Sequence, residues 1–377
     1  MDNPLKNFFG SLSTFLSKGD KDTAVGIDIG SSSIKVVEIK KRGGKAVLET
    51  YGAISLGPYA DTEIGHVTNL PIGKIIEALK EVLKQSGVST RFSAFSIPMQ
   101  SGLVFIIDLP PQVDINKKID SIVSIEARKY IPVPITEVTL DYFILPKKEQ
   151  SYEEINNPDS ISLPVEKTEV LVVAVQNDAI SKLHSVVSGC SLDAGFFEVE
   201  IFASVRANFE HELSPVLLID FGASRTKLSI VEFGIIKNYH TVNRGGADIT
   251  DAIAKSLDIP FLKAEELKKE FGLFDNKTEK DLNNIIKSHL DYIFSETNNV
   301  LLAYEKKYNR TVSKIIFSGG GCLLKGLKEV AVNNFRADIE IGRPFSKIDA
   351  PVFLDKVLDT TGPEFAVAIG LALRKLQ

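Results

Sequence analysis

One short phrase occurs twice in this chain, and the repetition limits the fold more than any other feature. Residues 27–35 read Ile-Asp-Ile-Gly-Ser-Ser-Ser-Ile-Lys, and residues 219–227 read Ile-Asp-Phe-Gly-Ala-Ser-Arg-Thr-Lys. In each copy an apolar run (24–27 or 216–219) ends in an acid, bends at Gly30 or Gly222, and continues as a second strand-like run (34–39 or 228–233). Glycine lacks a Cβ, so such a hairpin bend permits tight geometry and close approach of a ligand. Hydroxyls and backbone N–H groups at the bend can wrap a phosphate, and the preceding carboxylate, Asp28 or Asp220, suits Mg²⁺ held through water. A single copy would read as a polar surface turn. Asp28 with Asp220, Gly30 with Gly222, Ser32 with Ser224 and Lys35 with Lys227 coincide at one offset, which argues for two loops gripping one nucleotide from both sides. A Rossmann turn fits less well, because residues 26–30 lack the third glycine and put a carboxylate where pyrophosphate would sit. Residues 220–222 read Asp-Phe-Gly, but no His-Arg-Asp loop or glycine-rich lid accompanies them as in a protein kinase.

At 377 residues the chain is long enough for two or three lobes with a buried core. Its net charge of -5 gives no overall basic surface, so nucleic acid is not the expected ligand. Cys190 and Cys322 lie in different segments and make no metal pattern, and the five histidines are scattered singly. With no secretory signal and no apolar run long enough to span a bilayer, a reducing cytoplasm is the expected compartment.

Along the chain, Leu5, Phe8, Phe9, Leu12, Phe15 and Leu16 fall at helical spacing within residues 1–20, ahead of a polar linker at 18–22. An amphipathic helix there is expected to dock a partner or pack on the core; its mixed charges argue against a membrane surface. Residues 24–57 read as a three-strand meander turning at 41–45, 71–87 as an amphipathic helix and 92–97 as a strand. A strand at 103–109 is followed by a helix at 115–130, stopped by Pro132 and Pro134. Strands at 138–145 and 168–175 flank a polar stretch, 147–164, read as a flexible hairpin loop, and together these pieces make an α+β insert. A helix is expected at 180–188. Another, through Ala207, starts at Glu200. Residues 244–250 give a turn and a helix start whose N–H groups are aimed at a phosphate or ribose. Glu265 and Lys268 share a helix face, which by itself suggests only a solvated salt pair. A long helix spans 282–308, and a strand at 313–317 runs into Ser318-Gly319-Gly320-Gly321-Cys322 before a helix at 324–332. Three glycines there let a flat ring approach the backbone. Residues 363–373 form a small-residue apolar helix, long enough to cross between lobes.

With these pieces in order, the chain resembles the actin, DnaK-type chaperone and sugar-kinase ATPase superfamily over nearly all of residues 24–377. Residues 25–39 look like the phosphate-1 motif, Glu200 and its helix like connect-1, and 217–233 like phosphate-2. Residues 315–327 look like the adenosine motif and 363–373 like connect-2. The resemblance implies an actin-like (ribonuclease H-like) α/β fold, duplicated into two domains, with ATP and Mg²⁺ as cofactors. Asp28 and Asp220 match the acids around Mg²⁺ and its waters. Ser31, Ser32, Ser33 and Lys35 match the first phosphate loop, and Gly222, Ala223, Ser224 and Arg225 the second. Glu200 matches the residue that orients attacking water. Glu265 and Lys268 match a pair that holds ribose and adenine, Gly319, Gly320 and Gly321 match the purine-facing loop, and Gly246 lies on the helix start beside the phosphates.

Within the superfamily the wording of residues 94–109 and 126–142 is similar to the PilM family of type IV pilus assembly proteins, relatives of FtsA. The insert then corresponds to the FtsA-type subdomain 1C. The implied partition is 1–20 for the N-terminal helix, 24–98 and 168–208 for the first domain, 99–167 for the insert, 215–360 for the second domain and 361–377 for the returning helix. The implied role is a nucleotide-dependent adaptor on the inner face of the cytoplasmic membrane. It binds the N-terminal tail of PilN in a groove near the insert and reaches PilO and the pilus motors indirectly; self-association belongs to the same expectation. The chain ends at Gln377 without the C-terminal membrane-targeting helix of FtsA, so recruitment through a protein is expected. Glu200 lacks a following proline, and hydrolysis, if any, is expected to be slow. An FtsA-like filament scaffold, a small-metabolite kinase and an interaction module with a degenerate site are the rivals.

Overall fold

A computed structural model describes residues 22–109, 115–145, 168–210, 212–273 and 280–376. The amphipathic stripe before residue 20 and the loop expected at 147–164 lie outside these residues.

The first half opens with β1 (Thr23–Ile29), β2 (Ser33–Arg42) and β3 (Lys45–Ser55), then α1 (Ile72–Gln85) and β4 (Phe92–Ile97). An insert follows: β5 (Gly102–Leu109), α2 (Ile115–Ala127), β6 (Val138–Ile144) and β7 (Thr168–Gln176). The half closes with α3 (Asn177–Gly189), β8 (Asp193–Val199) and α4 (Glu200–Asn208). The second half contains β9 (Val216–Phe221), β10 (Thr226–Glu232), β11 (Ile235–Val242), α5 (Gly246–Leu257), α6 (Phe261–Phe271), α7 (Lys280–Tyr308), β12 (Lys314–Ser318), α8 (Leu327–Asn334), β13 (Asp338–Ile341) and α9 (Asp355–Thr361). Finally α10 (Ala366–Leu376) packs on α4 and β1 of the first half.

The two halves carry the same sheet. Strand order is β3-β2-β1-β4-β8 in one and β11-β10-β9-β12-β13 in the other, each an antiparallel meander extended by parallel strands. Helices cover both faces, so the central strands are apolar on both sides; β1 is buried from Thr23 to Ile27. This is why the sequence shows continuous apolar runs there instead of alternation.

The insert has its own antiparallel sheet, ordered β5-β7-β6. Its middle strand points Val170, Val172 and Ala174 into a small core under α2, and Leu171, Val173 and Val175 into the main core. Successive side chains on a strand face opposite ways, so one strand closes two cores. β7 is the centre of this sheet, so its pairing with β5 and β6 runs through Gln176, past the expected boundary at 167. The helix expected at 115–130 is α-helical only to Ala127, and the one expected at 324–332 begins at Leu327, because residues 320–323 form a 3-10 turn.

Behind the connecting helices lies a buried ion cluster. Arg206 of α4 makes two 2.7 Å contacts to Glu198 of β8 and donates to the Gly370 carbonyl of α10, while Arg374 of α10 reaches the same carboxylate at 3.2 Å. Three elements thus converge on one carboxylate that is 1 % exposed.

Candidate functional site

The repeated phrases form hairpins with matching geometry. Asp28 lies directly across from Lys35 in the β1–β2 register, and Asp220 across from Lys227 in β9–β10. The Gly30 N–H donates to the Ser33 carbonyl at 3.0 Å, and the Gly222 N–H to the Arg225 carbonyl at 3.0 Å. Both bends open into one cleft of about 1600 Å³ between the halves. Every residue singled out from the sequence lines it: Asp28, Asp220 and Glu200; the turns at 31–33 and 222–225 with Lys35; Gly246, Glu265 and Lys268; and Gly319, Gly320 and Gly321.

At the end where the two hairpins face each other, Ser96 of β4 donates to Asp28 Oδ1 at 2.8 Å, and Lys35 Nζ to Ser33 Oγ at 2.7 Å. Glu200, the first residue of α4, has both oxygens engaged: Oε1 accepts the Met99 N–H at 2.8 Å and Oε2 accepts Lys227 Nζ at 2.6 Å. The same ammonium lies 3.2 Å from Asp220 Oδ2. Burial pushes the Glu200 carboxyl up against the opposing pull of Lys227, and Asp220 and Asp28 add to the rise. Burial alone would push the Lys227 ammonium down, but Asp220 and Glu200 outweigh it and hold it well above its ordinary value.

At the other end, Glu265 and Lys268 are 11 % and 12 % exposed and 2.6 Å apart, so this is a cleft-wall pair and not a solvated one. Thr250 Oγ1 donates to Glu265 at 2.5 Å, and Lys268 Nζ donates to Thr250 Oγ1 and to the Gly246 carbonyl. Burial works to raise the Glu265 carboxyl, yet Lys268 and the hydrogen bonds from Lys268 and Thr250 prevail and hold it below the usual range. Burial lowers the Lys268 ammonium in spite of Glu265.

One expectation about α5 is corrected. Its first N–H groups do not face the cleft: those of Gly246 and Ala247 donate to the carbonyls of Gly222 and Ala223, and that of Gly245 to Asp248 Oδ2. The helix start braces the second hairpin, and Gly246 reaches the site through its carbonyl.

The glycine loop is required by close packing. Gly319 has φ +80°, and a Cβ there would sit 2.5 Å from Asp220 Oδ1; one at Gly321 would sit 2.5 Å from the Phe221 ring. The bulky Phe221 between the second acid and its glycine is therefore the floor beneath this loop.

Sequence reading misses Ser96, Met99 and the contacts of residues 56–71, some within the first half and some across the cleft. Leu56 N and Thr68 N donate to the carbonyls of Ser32 and Ser31, Glu63 accepts the Leu262 N–H at the start of α6 at 2.9 Å, and His66 stacks on Phe261 at 3.6 Å. Lys227 alone among the missed groups left a signal, as the repeat partner of Lys35.

The cradle fits a nucleotide: glycine-lined backbone at both ends, hydroxyls at the turns and a polar pair where ribose and base would lie. For Mg²⁺, Asp28 and Asp220 are the available carboxylates. The described residues contain no group of three or more metal-ligating side chains, which suits an ion brought in with phosphates and water. The cleft lining also includes Leu56, Leu70, Ile72, Ile75, Leu183 and Val186, apolar side chains of the segment before α1, of α1 and of α3 that belong to or pack on the main core.

A duplicated sheet with paired acidic hairpins around one interdomain cleft defines an actin-like ATPase-fold protein with an FtsA-type insert. The chain belongs to the family described as type IV pilus assembly protein PilM, whose model matches residues 26–376. It is similar to a solved PilM-PilN type IV pilus biogenesis complex, with a TM-score of 0.76 and 25% identity, covering 94% of this chain and 98% of that one. It is 24% identical to the cell division protein FtsA of Staphylococcus epidermidis over 89% of this chain and 80% of that protein. MreB5 of Spiroplasma citri, solved with ADP, shares the fold at a TM-score of 0.50 and 12% identity, covering 93% of this chain and 94% of that one.

Proposed function

We propose that this chain is an ATP-binding adaptor of a type IV pilus assembly platform. ATP with Mg²⁺ sits between the two hairpins, and the N-terminal tail of PilN binds in a groove near the insert. The observation that carries this reading is the position of Glu200. One of its oxygens holds Met99, three residues before β5, and the other holds Lys227 beside Asp220. One carboxylate thus ties the phosphate end of the cleft to the root of the insert, so a phosphate that moves Lys227 also biases the insert.

The residues divide the work as follows. The turn hydroxyls and N–H groups at 31–33 and 222–225, with Lys35 and Arg225, bind phosphate. Asp28 and Asp220 orient the ion and its waters, and Glu265 and Lys268 hold the ribose and base. Bound Mg²⁺ neutralises phosphate charge. Glu200 is the group placed to orient a water, and its existing engagement with Met99 and Lys227 makes turnover slow. MreB5 solved with ADP and the PilM-PilN complex support the nucleotide and partner halves of the reading. Recruitment to the cytoplasmic face goes through PilN; among the described residues no helix is long and apolar enough to cross a membrane.

The test is the affinity of a fluorescent PilN tail peptide with and without ATP, for the wild type and for Asp28→Ala/Asp220→Ala. Nucleotide should change wild-type affinity, and the double variant should retain the peptide but lose both ATP and its effect. Undiminished ATP binding by a folded double variant would refute the site. The similarity to FtsA favours a second reading, a filament scaffold of cell division; capture of a divisome tail in place of the PilN tail would select it.

A further inference from the structure

We propose that Lys227 is a resident cation that lets the cleft accept a nucleoside triphosphate with little reliance on a divalent metal ion, an inference that rests on the nucleotide reading above. The two hairpins are alike in backbone but not in the use of their lysines. In the first, Lys35 turns to a hydroxyl, Ser33 Oγ. In the second, Lys227 turns inward between two acids, 2.6 Å from Glu200 and 3.2 Å from Asp220, with its side chain only 16 % exposed.

The consequence follows from charge. Asp28, Asp220 and Glu200 converge on the phosphate end, and Lys227 interacts electrostatically with all three. With Lys227 present the four side chains carry two net negative charges, and without it three. Each uncompensated carboxylate repels an incoming triphosphate, and more strongly in a cleft than in open water. A divalent ion is the usual remedy. Here, an ion approaching Asp220 meets an ammonium already in place, so the ion's gain is smaller, while the phosphate meets a positive charge.

The experiment titrates the full chain with mant-ATP in excess Mg²⁺ and again in excess EDTA, and reads the ratio of the two dissociation constants. For the wild type the ratio should stay within about fivefold, and for Lys227→Met it should exceed about tenfold through loss of binding in EDTA. Lys227→Arg should keep most of the wild-type ratio. Lys227→Met/Glu200→Gln, which restores the wild-type charge count, should recover binding in EDTA. If Lys227→Met fails to fold, as judged by circular dichroism, the arginine and double variants decide the matter. Equal ratios in wild type and Lys227→Met, or wild-type binding abolished by EDTA, would overturn the inference while leaving the nucleotide site standing. Absence of wild-type binding in both buffers would remove the nucleotide reading, and this inference with it.

Discussion

Glu265 shows how one carboxylate can report on the whole cleft wall. Two lysines and the Thr250 hydroxyl hold it ionised in a mostly buried position. Its folded pKa is depressed, so its stabilising contribution is fully present above the ordinary glutamate value of about 4.3 and is lost as pH falls from there through the folded value. Replacing it removes that dependence. Glu265→Gln should therefore lose less thermal stability than the wild type between about pH 6 and about pH 3.5, as followed by circular dichroism. An equal loss in both proteins would show that the pair carries no such linkage.

At the scale of elements, the segment between β3 and α1 acts as a strap. It bonds to the Ser31 and Ser32 carbonyls of the first hairpin turn, and crosses to cap α6, the helix that carries Glu265 and Lys268. A carboxylate accepting an N–H in the first turn of a helix is worth about 1 kcal/mol. Here that bond spans the cleft, so its loss should act on opening more than on folding. Glu63→Ala combined with His66→Ala should raise the release rate of mant-ATP about fivefold or more, measured by chase with unlabelled ATP, with a small shift in melting temperature. An unchanged release rate would mean that the strap does not restrain the cleft.

At the scale of the molecule, the two halves are joined by α4 and α10, which meet at the Arg206, Glu198 and Arg374 cluster. Removing one partner of a buried ion pair leaves an uncompensated charge and costs about 3–5 kcal/mol, whereas apolar replacement of both is tolerated far better. Glu198→Gln should accordingly lower the urea midpoint sharply. Arg206→Met/Glu198→Leu should recover part of it, with Arg374 still over the Phe196 ring but deprived of the Glu198 carboxylate. A mild effect of Glu198→Gln would show that the cluster is not what fastens the helices.

The elements of this fold were largely legible because their causes are local. Apolar runs that end in Asp-x-Gly make hairpins, and proline stops the helix of the insert. The repeat of Asp, Gly, Ser and Lys at one offset announces two equivalent loops. What the sequence could not convey were contacts between residues far apart in the chain: Ser96 on Asp28, Met99 on Glu200, Glu63 on Leu262. Periodicity places a side chain on a face without naming what faces it. Lys227 marks the division most clearly. Its place opposite Asp220 follows from the hairpin register alone, but its bond to Glu200, where Lys35 bonds instead to Ser33, depends on α4 arriving from the other half of the molecule with a carboxylate at its first residue.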